Sequence, residues 1–233
     1  MPESRRLAII GYGKMGILVE RFAPEFGFQV ALKLDLFNNE NFQGHTAENF
    51  RGIDVAIDFS SPAAVLRNAE GIAPLGVNLV IGATGWLDRL NEVKSVVERN
   101  GIGAVWSPNF SIGVNAFFRI VAEAARLLAA QPAYDAWGWE IHHASKKDAP
   151  SGTLLKLVDE MKKAGYARLI DTASNRAGAH PGTLEIGFDS AADTITLRHT
   201  ARSREGFARG ALQAAQWIAG KKGFYEFSDV VFR

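Results

Sequence analysis

The stretch Leu7-Ala8-Ile9-Ile10-Gly11-Tyr12-Gly13-Lys14-Met15-Gly16 decides the fold. Four apolar residues in a row read as a strand buried on both faces, as in a parallel sheet. Glycines at 11, 13 and 16 follow at once, and residues 17–26 then repeat apolar side chains at helical spacing. A glycine turn between strand and helix lets backbone approach a pyrophosphate, with the helix N-terminus supplying N–H donors and a positive dipole. Glycines also mark plain strand-to-helix turns, so the pattern needs its context. That context is Asp35, nineteen residues beyond Gly16 at the end of the next strand. A carboxylate there accepts adenosine ribose hydroxyls and repels a 2′-phosphate.

Outward from this unit the alternation continues. Strands are predicted over 29–34, 54–59, 77–81 and 103–106, with a helix opened by Pro62 and another over 87–99. Repeated β-α-β order predicts a Rossmann-like parallel sheet, the fold class being α/β. The turns Asp58-Phe59-Ser60-Ser61-Pro62, Gly82-Ala83-Thr84-Gly85 and Ser107-Pro108-Asn109-Phe110-Ser111 fall where later strands end, where open α/β sheets bind ligands. From Ser111 the grammar changes. After a helix over 115–130, Asp135, Trp137, Trp139 and Ile141 share one strand face, which reads as a packing surface. Residues 183–188 and 194–200 alternate around a turn at 189–193, which predicts a second α+β domain with a mainly antiparallel sheet. A helix over 204–219 and a strand-like 230–232 return to the first domain. The expected division is 1–110 with 213–233 for dinucleotide binding, and 111–212 for substrate binding and oligomerisation.

Composition narrows the function classes. The 233 residues carry 26 basic and 25 acidic side chains, 47% apolar residues and no cysteine. This excludes thiol catalysis, Fe–S clusters and a disulfide framework, and gives nucleic acid no support as the main partner. Only four apolar residues precede Gly11, too few for a signal-peptide core, and no later run reaches a membrane span, so a cytoplasmic protein is expected.

The second chemical signal is Glu140-Ile141-His142-His143-Ala144-Ser145-Lys146-Lys147-Asp148-Ala149-Pro150-Ser151-Gly152-Thr153. Adjacent strand residues point to opposite faces, so His142 shares a face with Glu140 while His143 turns away, and no third ligand supports a metal. A helix over 154–164 follows, its start marked by Asp148, Pro150 and Ser151. N–H groups of Ser151, Gly152 and Thr153 beside Lys146 suit a small carboxylate, and a histidine on the lip suits proton donation. Alone, the run reads first as a solvated connection with an ordinary cap.

Beside the glycine turn, His142-His143-x-x-Lys146-x-Asp148-Ala149-Pro150-Ser151-Gly152-Thr153 resembles the signature of the 4-hydroxy-tetrahydrodipicolinate reductase family of lysine and diaminopimelate synthesis. Asp58-Phe59-Ser60-x-Pro62, Gly82-x-Thr84-Gly85, Asn109-Phe110-Ser111-x-Gly113-x-Asn115 and His199-x-Ala201-x-Ser203-Arg204-x-x-Phe207-Ala208-x-Gly210-Ala211 extend the resemblance over essentially the whole chain. It implies that Gly11, Tyr12, Gly13, Lys14, Met15 and Gly16 hold the pyrophosphate of NAD(P)H and that Asp35 lies by the adenosine ribose. Gly82, Ala83, Thr84, Ser107, Pro108, Asn109 and Phe110 would line the nicotinamide. It further implies His142 as proton donor and acceptor, Lys146 as second donor, and His143, Gly152 and Thr153 on the dicarboxylate substrate, in a homotetramer without metal.

The chain departs from the family in a short 35–58 segment, Ala83 in place of threonine and Leu184 in place of histidine. Lys33, on the face of Asp35, is placed for a 2′-phosphate, so use of both NADH and NADPH is expected. Two other readings remain. A related amino-acid dehydrogenase would keep the glycine turn without the complete lysine-to-threonine block. A redox sensor that binds the dinucleotide would lack the His142/Lys146 pair.

Overall fold

Strand residues point alternately to opposite faces, so strands apolar at nearly every position need cover on both sides. This holds for the second half of β1 (Arg5–Ile10), for β3 (Val55–Asp58), for β4 (Asn78–Ile81) and for β5 (Gly103–Trp106). In the computed structural model, which describes residues 4–232, they form a parallel six-stranded sheet with β2 (Phe28–Leu34) and β10 (Gly223–Glu226), in the order β10-β5-β4-β3-β1-β2. On one face Ala8, Ile10, Ala56, Leu79 and Ile81 pack with α2 (Val65–Ile72) and α3 (Leu90–Arg99). On the other, Leu7, Ile9, Val55, Ile57, Val80 and Val105 pack with α1 (Lys14–Phe22) and α6 (Glu205–Ile218). Each fully buried aliphatic side chain here contributes about 1.5–3 kcal/mol.

Two compact units divide the chain. The first takes residues up to Ile112 and from Glu205 onward; the second is Gly113–Arg204. Residues 205–212, expected in the second domain, thus belong to the first. Ala208, Ala211 and Leu212 are buried under the parallel sheet, and a Cβ on Gly210 would lie 1.8 Å from the Phe110 carbonyl oxygen. The terminal strand is also placed differently from expectation. It is β10, beside β5, while residues 227–230 form the short helix α7 (Phe227–Val230) that buries Phe227 and Val230. The helix expected from Pro62 starts at Val65.

In the second unit β6 (Asp135–His142) pairs antiparallel with β8 (Thr183–Asp189), and β8 antiparallel with β9 (Thr194–Thr200). A further strand, β7 (Ile170–Arg176), runs parallel beside β6 and completes the order β7-β6-β8-β9. Ala136, Leu184, Ile186 and Phe188 face a core shared with α4 (Ile112–Leu128) and α5 (Gly152–Lys163). On the opposite face Trp137 lies over Gly187, where a Cβ would come within 2.1 Å of the indole.

Candidate active site

The strands of the first unit end level. Ile10 is in register with Leu34 and Asp58, Asp58 with Ile81, and Ile81 with Trp106. The loops that begin with Gly11, Asp35, Phe59, Gly82 and Ser107 therefore leave the sheet at one height. The strand after β1 lies on one side of it and β3 on the other, so Gly11 sits at the switch point of the sheet, where such folds bind ligands.

The three glycines serve different purposes. Gly11 has φ +88°, and a Cβ there would lie 2.7 Å from backbone atoms of Phe59 and Ser60. A Cβ on Gly16 would meet the Gly11 carbonyl oxygen at 2.6 Å. Gly13 has φ −93° and nothing within 4 Å of its Cβ position, so neither conformation nor packing requires a glycine there. It is the N-cap of α1, with no side-chain cap and no acid in the first turn, so the N–H donors around Lys14 and Met15 are open to an anion. A cleft of about 570 Å³ runs past it, lined by Tyr12, Asp35, Phe37, Ser60 and Asn68 among others. Asp35 lines this cleft, and one of its oxygens accepts the Phe37 N–H at 2.8 Å. Lys33 is bound to Glu20 at 2.9 Å and lies 4.7 Å from the centre of the Tyr12 ring. These features fit an adenosine diphosphate moiety of a dinucleotide.

Phe59 ties the remaining loops together. Its ring lies where a Gly82 Cβ would stand, 2.2 Å away, and it meets Phe110 edge-on at 6.4 Å. Ala83 is buried and its carbonyl accepts the Trp86 indole N–H at 2.8 Å, whereas Thr84 and Pro108 are exposed. The Ser107 hydroxyl donates to the Asn109 carbonyl at 2.7 Å. Beneath the loops, buried Asp58 accepts the Ser60 N–H and the Asn68 amide, both at 2.8 Å, while burial pushes its pKa up. Asn68, ten residues from Asp58, carried no sequence signal. Gly82, Ala83, Thr84 and the 107–110 turn share the strand-end level with Gly11 but stand outside the lining of the 570 Å³ cleft.

In the second unit Glu140 and His142 lie on the inner face of β6 and are buried. Glu140 Oε1 accepts the Ser151 N–H at 2.8 Å, the Ser174 hydroxyl at 2.9 Å and Arg176 Nη2 at 2.8 Å. Burial opposes this carboxylate's charge, but those donors outweigh it and hold its pKa below the usual value. His142 Nδ1 lies 3.5 Å from Glu140 Oε2. Burial lowers the imidazole pKa, Glu140 pushes it up, and Lys146 and Arg176 add to the fall. His143 has left the strand and its Nδ1 meets the Ser145 hydroxyl at 2.8 Å. Lys146 Nζ donates to both Asp148 oxygens, at 2.7 and 2.9 Å, and holds that carboxyl below its ordinary pKa.

Ser151 caps α5, its hydroxyl accepting the Leu154 N–H at 3.2 Å. Because the Ser151 N–H is taken by Glu140 and the Gly152 N–H serves the Asp148 carboxylate, the expected three-donor helix start reduces to Thr153. Gly152, like Gly13, has nothing within 4 Å of its Cβ position. Leu184 is buried in the core and offers no polar group, while His180 accepts the Gly182 N–H at 3.2 Å. Among the described residues no group of three His, Asp or Glu side chains is placed to hold a metal ion, and no helix is long and apolar enough to cross a membrane. Ser174 and Arg176 escaped the sequence reading, because β7 itself did.

A doubly wound sheet with a glycine turn at its switch point, followed by a mostly antiparallel domain bearing a histidine–lysine cluster, defines a nicotinamide-dependent oxidoreductase. Residues 5–110 match the family model described as dihydrodipicolinate reductase, N-terminus, and residues 113–231 match dihydrodipicolinate reductase, C-terminus. The chain belongs to the dihydrodipicolinate reductase family. It is 32% identical to the 4-hydroxy-tetrahydrodipicolinate reductase of Christiangramia forsetii, covering 97% of each chain, and 36% identical to that of Archaeoglobus fulgidus, covering 96% of this chain and 98% of the other. A dipicolinate-bound dihydrodipicolinate reductase from Paenisporosarcina sp. TG-14 has the same fold, with TM-score 0.80 at 23% identity over 97% of this chain and 99% of the other.

Proposed function

We propose that the chain reduces 4-hydroxy-tetrahydrodipicolinate to tetrahydrodipicolinate in lysine and diaminopimelate biosynthesis. Substrate, NAD(P)H and a proton give product, NAD(P)+ and water. The 4-hydroxyl leaves as water with a proton from a neighbouring ring carbon, and a reduced nicotinamide bound here would supply a hydride to ring C4. The chain's own residues do the rest. The Gly11 to Gly16 turn holds the pyrophosphate on the start of α1, and Gly82, Ala83, Thr84, Ser107, Pro108, Asn109 and Phe110 border the nicotinamide. His143, with Gly152 and Thr153 at the start of α5, holds the dicarboxylate, with Lys146 adding positive charge. His142 delivers the proton to the carbon next to the one reduced, and Lys146 assists.

The observation that carries this reading is the gathering of a buried imidazole, a lysine and a helix start with space beside its first residue, within the second unit of a chain that matches the family end to end. Both coenzymes serve, with NADH held more tightly, because Asp35 offers a carboxylate to the ribose and Glu20 engages the lysine a 2′-phosphate would need. The protein works in the cytoplasm as a homotetramer assembled through the Trp137/Trp139 face of the second sheet, which light scattering on the purified chain tests. For the reaction, purified dihydrodipicolinate synthase makes the unstable substrate in situ while coenzyme oxidation is followed. Oxidation that depends on the synthase product is expected; its absence with both coenzymes refutes the assignment.

A further inference from the structure

Two of the four buried side-chain polar atoms without a hydrogen-bond partner among the described residues face each other: Glu140 Oε2 and His142 Nδ1, 3.5 Å apart. The geometry points to Glu140 as a positioning residue that holds His142 in its Nδ1–H form, so that Nε2 is the nitrogen that carries and delivers the proton. This rests on the reading of His142 as the proton donor.

The carboxylate cannot swing away from the ring. Its Oε1 is held by three donors from two separate segments: the Ser151 N–H at the start of α5, and the Ser174 hydroxyl and Arg176 guanidinium of β7. Those bonds aim Oε2 at the imidazole, and a proton on Nδ1 satisfies both orphaned atoms at once. The far side of the ring is kept open in a matching way. A Cβ at residue 182 would lie 3.0 Å from His142 Nε2, and Gly182, with φ +140°, places none there. One nitrogen is thus matched to an acceptor and the other is left with room.

The charges around the ring make Glu140 its main anionic neighbour. From the loop after β6 come Lys146 and Asp148, bound to each other, and from β7 comes Arg176, which donates to Glu140 and to the Asp148 carbonyl oxygen. Lys146 and Arg176 disfavour an imidazolium, whereas Glu140 and Asp148 favour it, with Glu140 the larger of the two. Without the Glu140 charge the donor form of His142 becomes scarcer at any given pH.

Glu140→Gln tests this, since the amide oxygen keeps an acceptor for the three donors while the NH2 group is presented to Nδ1 and imposes the wrong tautomer. Expected is a fall in kcat of about tenfold or more with substrate KM and NADH affinity within about twofold. The basic limb of the kcat profile moves to lower pH by about half a unit or more, and Glu140→Asp brings the limb back. An unmoved limb overturns the proposal, whether or not kcat falls, because a merely structural carboxylate would leave the profile in place. Nitrogen-15 NMR of the wild-type histidines needs no variant to fold: neutral His142 is expected with its proton on Nδ1, and a proton on Nε2 overturns the proposal. His142→Gln separates the two layers. Near wild-type turnover in that variant refutes His142 as donor, whereas an inactive His142→Gln beside an unaltered Glu140→Gln refutes the role of Glu140 alone.

Discussion

Alanine substitution at Gly11 and Gly13 separates a glycine the fold requires from one the ligand requires. At Gly11 the new Cβ meets two kinds of resistance. The backbone has φ +88°, which costs an L-residue about 1–2 kcal/mol, and the Cβ would stand 2.7 Å from backbone atoms of Phe59 and Ser60 that no rotamer change can move. Overpacking of that kind costs about 1–3 kcal/mol more, so Gly11→Ala is expected to lose about 2–5 kcal/mol. At about 2–4 °C per kcal/mol for a chain of this size, Tm falls by roughly 4–20 °C. At Gly13 there is no such obstacle, with φ −93° and nothing within 4 Å. A weaker N-cap costs a few tenths to about 1 kcal/mol, and the stiffer unfolded chain returns about 0.4–1 kcal/mol, so stability should hold within about 0.5 kcal/mol. The added methyl instead occupies the space given to a pyrophosphate. Overpacking there of about 1–3 kcal/mol predicts NADH binding weakened about 5- to 150-fold. Urea unfolding of the apo proteins and fluorescence titration with NADH measure both quantities. A Gly13→Ala protein that binds NADH as the wild type does would refute the assignment of this glycine to the coenzyme.

Three further outcomes are expected. His142→Gln should lower kcat by about 10²–10⁴-fold with NADH affinity unchanged, while Lys146→Ala should raise KM as well as lower kcat, because its charge serves ground and transition states alike; steady-state kinetics with NADH titration decides. Asp35→Ala should weaken NADH while NADPH affinity holds or rises, and equal loss for both coenzymes would show that Asp35 only shapes its loop. Burial lowers the pKa of His45, His142 and His199. On acidification the unfolded chain therefore takes up these protons near its own histidine pKa of about 6.5, before the native state does. Stability is expected to be intact above that pH and to be lost as pH falls from about 6.5 through the lowered native values, and urea midpoints that stay flat from pH 7 to 5 would contradict this.

Elements whose own side chains make their packing were readable from local pattern. The apolar runs of β1, β3 and β4 lie within two residues of expectation and β5 coincides with it, and the alternating β8 and β9 form the expected hairpin. β7 shows no such pattern, and the reason is visible in its contacts. Ser174 and Arg176, which face inward, are polar because they serve a buried carboxylate on the neighbouring strand. β10 was displaced along the chain because Gly223-Phe-Tyr-Glu226 is a short edge strand placed by pairing with β5.

By itself the sequence determined what depends on neighbours along the chain: the parallel sheet with its glycine turn, the acid after β2, and the histidine–lysine block before a capped helix. Local geometry is enough there, since a run of apolar residues, a glycine or an N-cap acts within a few positions of itself. Only the tertiary structure decided that Gly11 and Gly16 are packing glycines while Gly13 and Gly152 face open space. It also spent the Ser151 N–H on Glu140 and set Glu140 against His142 in a shared burial. Those outcomes depend on β7, α5 and the turn before β8 meeting at one point, and contacts between segments tens of residues apart leave no periodicity in any one of them.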